Sequence, residues 1–315
     1  MGNYYIGLDI GGTKCAVSVG EVKKNNIRIL ERNEVVTTRN PLKALGWLDI
    51  FVREYLKKYS IARAGISCSG PLDSHQGIIL NPPNLLGWEN FAIVDYIQKE
   101  YNLSARLEND ANACAVAEWK FGAGMGTKNM VFLTLGTGLG AGLILDGKLY
   151  AGTNGNAGEV GHIRLSRSGP AGYGKNGSFE GFCSGGGITR LAIKMSKKEQ
   201  KTPKCIIEMG GYENVTTKEL SRFAFSGDLF AQKVFAKSGK MIGKGLSILV
   251  DILNPEKIVL GGVFMRSGEL LVPSMQKELE RESLGCSREV CQIVPARLSE
   301  NIGDIAAISV AVLEG

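Results

Sequence analysis

The sequence predicts an α/β protein of two domains sharing a cleft, and three observations carry the prediction. Two strand–loop–strand units of the same design occur. One is Asp9-Ile10-Gly11-Gly12-Thr13-Lys14 between apolar runs at 4–10 and 15–19, the other Gly136-Thr137-Gly138-Leu139-Gly140 between runs at 130–135 and 141–145. The first hundred or so residues alternate strand-like and helix-like patterns, and 315 residues suffice for two domains of ordinary size. A tight Gly-Thr turn between such strands makes a β-hairpin whose tip amides can point outward. Glycine allows close approach of the backbone, a threonine hydroxyl adds a donor, and a concavity of N–H groups suits phosphate. One such turn is common in ordinary hairpins. Two, about a domain length apart, point to a duplicated fold that grips a polyphosphate from both sides.

The elements follow in order. After the first hairpin, 27–36 reads as a third strand. Residues 41–59 carry Leu42, Leu45, Leu48, Phe51, Val52, Tyr55 and Leu56 at helical spacing, with Pro41 in the first turn. Residues 63–67 return as a short strand, and a turn-rich stretch from Ser69 through Asn84 ends at Trp88. A short helix at 92–101 leads to a strand at 104–107 and a helix at 111–121 built on Ala113, Ala115, Val116, Ala117 and Trp119. Past the second hairpin, 151–187 is rich in Gly and Ser and reads as a long functional loop that buries little. Helices are expected at 188–195, 217–225 and 228–253, then a buried strand at 257–260 before Gly261-Gly262-Val263, and a last helix at 302–313.

Hydrophobic residues make up 44% of the chain and charged residues 22%, the balance of a soluble globular enzyme. The net charge of +6 is spread without a basic stripe interleaved with aromatics, so no nucleic-acid partner is expected. Seven irregularly spaced cysteines without a C-x-x-C pair, and no secretory leader, read as reduced thiols of a cytoplasmic protein. No apolar stretch approaches the roughly 18 residues of a membrane span. Met1-Gly2 lacks the Ser or Thr at position six that myristoylation requires, since Ile6 stands there.

Three groups of residues could carry chemistry. Asp9, at the lip of the first loop, would repel phosphate unless a divalent cation lay between them, which points to a hydrated Mg²⁺; otherwise it caps the turn. Asp110, in Glu108-Asn109-Asp110-Ala111-Asn112-Ala113, stands where a strand runs into a helix. It is either the helix cap or a general base, and position alone does not choose. Glu159, His162 and Glu180 fall in the glycine-rich segment as a hydroxyl-binding set, whereas His75 reads as solvated.

With these residues on the page, the chain resembles the ROK family of bacterial sugar kinases and repressors, within the actin/hexokinase-like (ribonuclease H-like) ATPases. The resemblance covers essentially the whole length. It rests on Asp9 to Lys14 (DIGGTK), Glu108 to Ala113 (ENDANA), Leu135 to Gly140 (LGTGLG), Gly158 to His162 (GEVGH) and Gly261-Gly262, with a PNLLGW stretch at 83–88. It implies a two-lobed fold with a central cleft, one lobe of residues 1–108 plus 301–315 and a larger one of 109–300. It further implies ATP-dependent, glucokinase-like phosphorylation of a hexose or N-acetylhexosamine hydroxyl, with Mg²⁺ bound with ATP near Asp9. Asp110 would be the catalytic base and Asn109, Glu159, His162 and Glu180 the sugar ligands. Gly11, Gly12, Thr13, Lys14, Gly136, Thr137 and Gly138 would form the phosphate loops, and Gly261 and Gly262 the adenosine-side glycines. A homodimer is also implied.

One departure is expected to matter. Zinc-binding members carry C-x-C-G-x-x-G-C-x-E after the histidine, and this chain has Ala171-Gly172-Tyr173-Gly174-Lys175-Asn176-Gly177-Ser178-Phe179-Glu180. The thiolates that hold such a zinc are gone, so no structural zinc is expected, with Tyr173, Phe179 and Phe182 packing the segment instead. A repressor would carry a helix-turn-helix ahead of the first hairpin, and the first strand already starts at Tyr4. The alternatives are therefore a catalytically silent sugar sensor, or an ATPase without a sugar substrate, which the Glu159, His162 and Glu180 set disfavours.

Overall fold

The structure is a computed structural model that describes residues 3–298 and 302–313. The expectations for Met1-Gly2 and for a domain boundary at 300/301 lie outside the described residues. The first hairpin is β1 (Asn3–Ile10) and β2 (Lys14–Lys23), and β3 (Asn26–Val36) extends it. Next come α1 (Pro41–Lys58), β4 (Ile61–Cys68), and the short pair β5 (Leu72–Asp73) and β6 (Ile78–Ile79). After them are α2 (Ile93–Tyr101), β7 (Ala105–Asn109), α3 (Asp110–Phe121), β8 (Met130–Leu135), β9 (Leu139–Leu145) and β10 (Lys148–Leu149).

A short pair, β11 (Ala171–Gly172) and β12 (Lys175–Asn176), precedes α4 (Phe179–Cys183), α5 (Gly185–Ser196), α6 (Lys204–Glu208), α7 (Thr217–Phe225) and α8 (Leu229–Leu253). The chain continues through β13 (Lys257–Gly262), α9 (Val263–Glu282), α10 (Gly285–Glu289), β14 (Gln292–Pro295) and α11 (Ile302–Val312). No helix among the described residues is long and apolar enough to cross a membrane.

Two compact units arise. The first comprises residues 1–126, 142–157 and 297–315, the second 127–141 and 158–296. The first is built on a sheet in the order β3-β2-β1-β4-β7, with β1, β2 and β3 antiparallel and β4 and β7 parallel to β1. One face is covered by α1, which Asn40 caps by accepting the Lys43 N–H while Pro41 takes the first turn, where no amide is needed. Ala44, Leu45, Leu48, Val52 and Tyr55 of α1 are buried, whereas Leu42 faces solvent. Helix α11 lies on β1 and β4 at close range. A Cβ on Gly65 would stand 2.0 Å from the Ala307 carbonyl oxygen, and one on Gly7 would stand 2.8 Å from the Ile308 side chain. The buried faces of α3 (Ala113, Ala117, Phe121) and α11 (Ile305, Ala306, Val310) share one apolar cluster. That packing keeps α3 in the first unit, which extends past the expected boundary at 108.

In the second unit β8 and β14 run parallel to β13, on either side of it; β9 begins in this unit and passes into the first at Gly142, and β10 belongs to the first. Helices α8 and α9 approach closely at Gly239 and Gly243, where an added Cβ would stand 2.3 Å from the Leu271 and Met275 carbonyl oxygens. Helix α9 and strand β14 were not anticipated. The expected loop at 151–187 also needs correction. It holds a 3-10 turn at Val160–His162, the β11–β12 hairpin and α4, and it buries Val160, Leu165, Phe179, Phe182 and Cys183.

Candidate functional site

In the first unit the β1–β2 loop carries Gly11 to Lys14. The Gly11 amide donates to the Lys14 carbonyl at 3.0 Å, so it closes the turn and is not among the amides left for a ligand. Gly12 and Thr13 are exposed. A Cβ on Gly12 would stand 2.7 Å from the Asn84 carbonyl, so the 83–88 segment seats against this loop. Buried Leu85 and Trp88, with the Trp88 indole donating to the Thr38 carbonyl at 2.8 Å, anchor that segment. Lys14 pairs with Glu34, which also accepts from Arg32 at 2.8 Å.

Asn109 and Asp110 stand together where β7 runs into α3. Asn109 is the cap, its side chain accepting the Ala111 N–H at 2.9 Å, and Asp110 is the first residue of the helix. The capping that was open to Asp110 therefore falls chiefly to its neighbour. Asp110 still accepts the same N–H at 2.8 Å through Oδ1, while Oδ2 accepts from the Ser69 hydroxyl at 3.1 Å. Asp110 is exposed, yet desolvation by the protein around its carboxyl is the largest influence and raises its pKa, with the bonds from Ser69 and Ala111 offsetting part of the rise.

Asp9 lies in β1, its backbone registered with Ala16 and Ser67. Burial first, then the charges of Asp304 and Asp110, push its pKa up to about 6, and Arg32 acts the other way. Among the described residues no hydrogen bond or ion pair ends on its carboxylate. A largely enclosed carboxylate with no hydrogen-bonded or ion-paired partner among the described residues, beside a phosphate-type loop, fits a hydrated Mg²⁺, which keeps most of its waters and is held through one or two carboxylates. Asp304, in the first turn of α11, is nearly buried and accepts from Arg32 Nε at 2.8 Å. Neither Arg32 nor Asp304 was singled out from the sequence, and 272 positions separate them.

In the second unit, Gly136, Thr137 and Gly262 line a cavity of about 340 Å³ with Gly185, Gly186 and Thr217. Gly138 and Gly261 are not on its wall. Gly262 turns β13 into α9 at φ +70°, with Leu135 so close that a Cβ would stand 2.4 Å from its carbonyl. Sequence reasoning missed the Gly185–Gly187 run, although a serine before three glycines is a legible helix start. Ser184 caps α5 by accepting the Gly187 N–H at 2.9 Å, and the Gly185 amide donates to the Gly136 carbonyl at 2.7 Å. This wall joins two glycine loops and a helix N-terminus, the arrangement that receives a phosphorylated ligand. Arg266 also lines it.

Glu159, His162 and Glu180 lie in the same unit, while Asn109 belongs to the first. Glu159 and His162 are exposed at the two ends of the 3-10 turn. Gly158 and Gly161 let that turn lie on β9, since a Cβ on either would stand 2.5 Å from the carbonyl of Ala141 or Leu139. Glu180 Oε2 accepts the Leu139 N–H at 3.1 Å, which ties α4 to the second glycine loop. Phe179 and Phe182 pack inward as expected, but Tyr173 does not: it is 75% exposed, its ring 6.3 Å from that of His162 and nearly perpendicular to it. Residues 171–180 do not fit a zinc site. They bring no thiol, the Cys183 thiol is buried toward the Ser238 carbonyl, and no group of three metal-ligating side chains is found among the described residues.

The ROK family model matches residues 5–312. The chain is 30% identical to a glucokinase of Halalkalibacterium halodurans, over 96% of this chain and 93% of the relative. It is 26% identical to the N-acetylglucosamine repressor of Escherichia coli O157:H7, over 84% of this chain and 64% of the repressor. A ROK family glucokinase from Streptomyces griseus, solved in complex with glucose and AMPPNP, superposes with a TM-score of 0.78 at 30% identity, over 98% of this chain and 99% of that one. These likenesses bear out the expected actin/hexokinase-like α/β fold class, and they show that the chain belongs to the ROK family.

Proposed function

We propose that this protein is an ATP-dependent sugar kinase that phosphorylates a hydroxyl of a hexose or N-acetylhexosamine, with Asp110 as the general base. The observation that carries the reading is the Asp110 carboxylate itself. It is held by Ser69 at the start of α3, is exposed to solvent, and has its proton affinity raised mainly by desolvation. A base is most useful when its pKa approaches the working pH, and such a group is worth roughly 10²–10⁴ in rate. Asp110 would take the proton of the attacking hydroxyl as the γ-phosphoryl transfers from ATP. Asn109, Glu159, His162 and Glu180 would hold the other hydroxyls, Glu180 with the carboxylate oxygen that the Leu139 amide leaves free. The glycine loops at 11–14 and 136–138 would bind phosphates, and the wall at Gly262 the adenosine side. Asp9 would hold a hydrated Mg²⁺, which when bound offsets charge on the transferring phosphoryl.

The relatedness to a repressor supports a second reading, a sugar-responsive protein without turnover. Coupled measurement of ADP release across a panel of hexoses and N-acetylhexosamines decides. Sugar-dependent release is the expected result. Absence of turnover with every sugar favours the sensor, and equal release without sugar favours a bare ATPase.

A further inference from the structure

We infer that Tyr173 is a positioning residue of the acceptor site: its ring fixes the imidazole of His162 and presents an aromatic wall to the apolar C–H face of a pyranose. The identity of the sugar as ligand rests on the kinase reading above, whereas the contact with His162 does not. Three observations carry the inference.

The ring is 75% exposed, so it contributes little to the core, yet it meets the one histidine of the glycine-rich segment at 6.3 Å and 83°, an edge-to-face arrangement. The backbone beneath it is unfavourable. Tyr173 and Gly174 are the two residues of the β11–β12 turn, both at positive φ (+47° and +73°). Asn-Gly or Gly-Gly is the ordinary choice there, and a bulky residue is an outlier. A costly backbone kept under an exposed ring indicates a use for the ring.

The hairpin is also tied to the expected sugar ligands. Ser178 donates to the Gly172 carbonyl at 3.3 Å, and Gly172 is so close to α4 that a Cβ would stand 2.9 Å from Glu180 Cβ. The turn that carries Tyr173 is therefore seated on the helix that carries Glu180, with its ring against His162. A metal could fix the imidazole through a ring nitrogen; here an aromatic contact does so and leaves both nitrogens for hydroxyl groups.

Tyr173→Gly and Tyr173→Phe test this on the full chain. Glycine removes the ring and relieves the backbone, so Tm is expected to stay level or rise. The KM for sugar is expected to rise roughly tenfold, the KM for ATP to stay, and Tyr173→Phe to behave as wild type, since a ring contact of this kind is worth about that factor. The chain has two histidines, so the His162 Hε1 proton signal is assigned by comparison with His75→Gln. In the sugar-free protein Tyr173→Gly should move that signal and Tyr173→Phe should leave it near its place.

An unmoved His162 signal in Tyr173→Gly overturns the inference, as does a rise in both KM values with a lower Tm, which marks a merely structural role. If wild type shows no turnover with any sugar, the kinase reading fails, and the sugar-free signal still decides whether Tyr173 positions His162.

Discussion

Asp9 and Asp110 are carboxylates that their surroundings push toward the protonated form, each mainly by desolvation. For Asp110 the shift serves proton abstraction. Asp110→Asn keeps the shape and the Ser69 contact while removing the base, so kcat is expected to fall by roughly 10²–10⁴ with sugar affinity nearly unchanged. Near-wild-type turnover of that variant would remove Asp110 from the role. For Asp9 the shift is a statement about stability. Its pKa rises from 3.8 to about 6 on folding, so the native state holds the extra proton between those values. Stability therefore falls as pH climbs from about 4 to about 6, and the penalty, at most about 3 kcal/mol by linkage, is complete above that range. Calorimetry of Asp9→Asn should show a higher Tm than wild type near pH 7.5 and a gain only about one third as large near pH 4.5. An equal gain at both would mean that charge burial is not the cause. The aspartates themselves were legible in the sequence, because each sits in a short motif beside a turn. Asp304 and Arg32, which set the field around Asp9, were not.

Among the elements, the hairpins, α1, α7 and α8 follow from local periodicity and caps. The segment at 151–187 misled because its glycines read as a loop, whereas several act as points of close contact: Gly158 and Gly161 on β9, Gly172 against α4. Helix α9 was missed because its kink at Ser267, the proline at 273 and its many charged residues break the apolar period. The contact of α11 with β1 and β4 gives a sharp test. Gly65→Ala would set a Cβ 2.0 Å from the Ala307 carbonyl oxygen, a backbone atom that cannot rotate away. Urea denaturation should show a loss of about 2 kcal/mol or more, in the upper part of the range for overpacking. A loss below ~0.5 kcal/mol would mean that α11 shifts freely on the sheet.

At the scale of the whole molecule, residues from both ends of the chain complete the first unit. Helix α11 returns to the sheet begun by β1, and the buried carboxylate of Glu118 in α3 accepts the backbone amides of Arg297 and Leu298 at 2.9 and 2.8 Å. Each unit carries part of the proposed machinery, Asp9 and Asp110 in the first and the glycine-lined cavity with Glu159, His162 and Glu180 in the second. Turnover that requires both sugar and ATP is accordingly the expected property of the intact chain.

The sequence by itself determined the two glycine loops, the Asn109-Asp110 junction and the family, because each depends on residues contiguous in the chain whose backbone needs are local. Tertiary structure alone decided that Asp304 and Arg32 flank Asp9, that Glu180 reaches the Leu139 amide, that Gly185 completes the cavity beside Gly136, and that Tyr173 stands against His162. Those are contacts between segments distant in sequence, or between side chains whose direction a turn sets, and no local pattern encodes them.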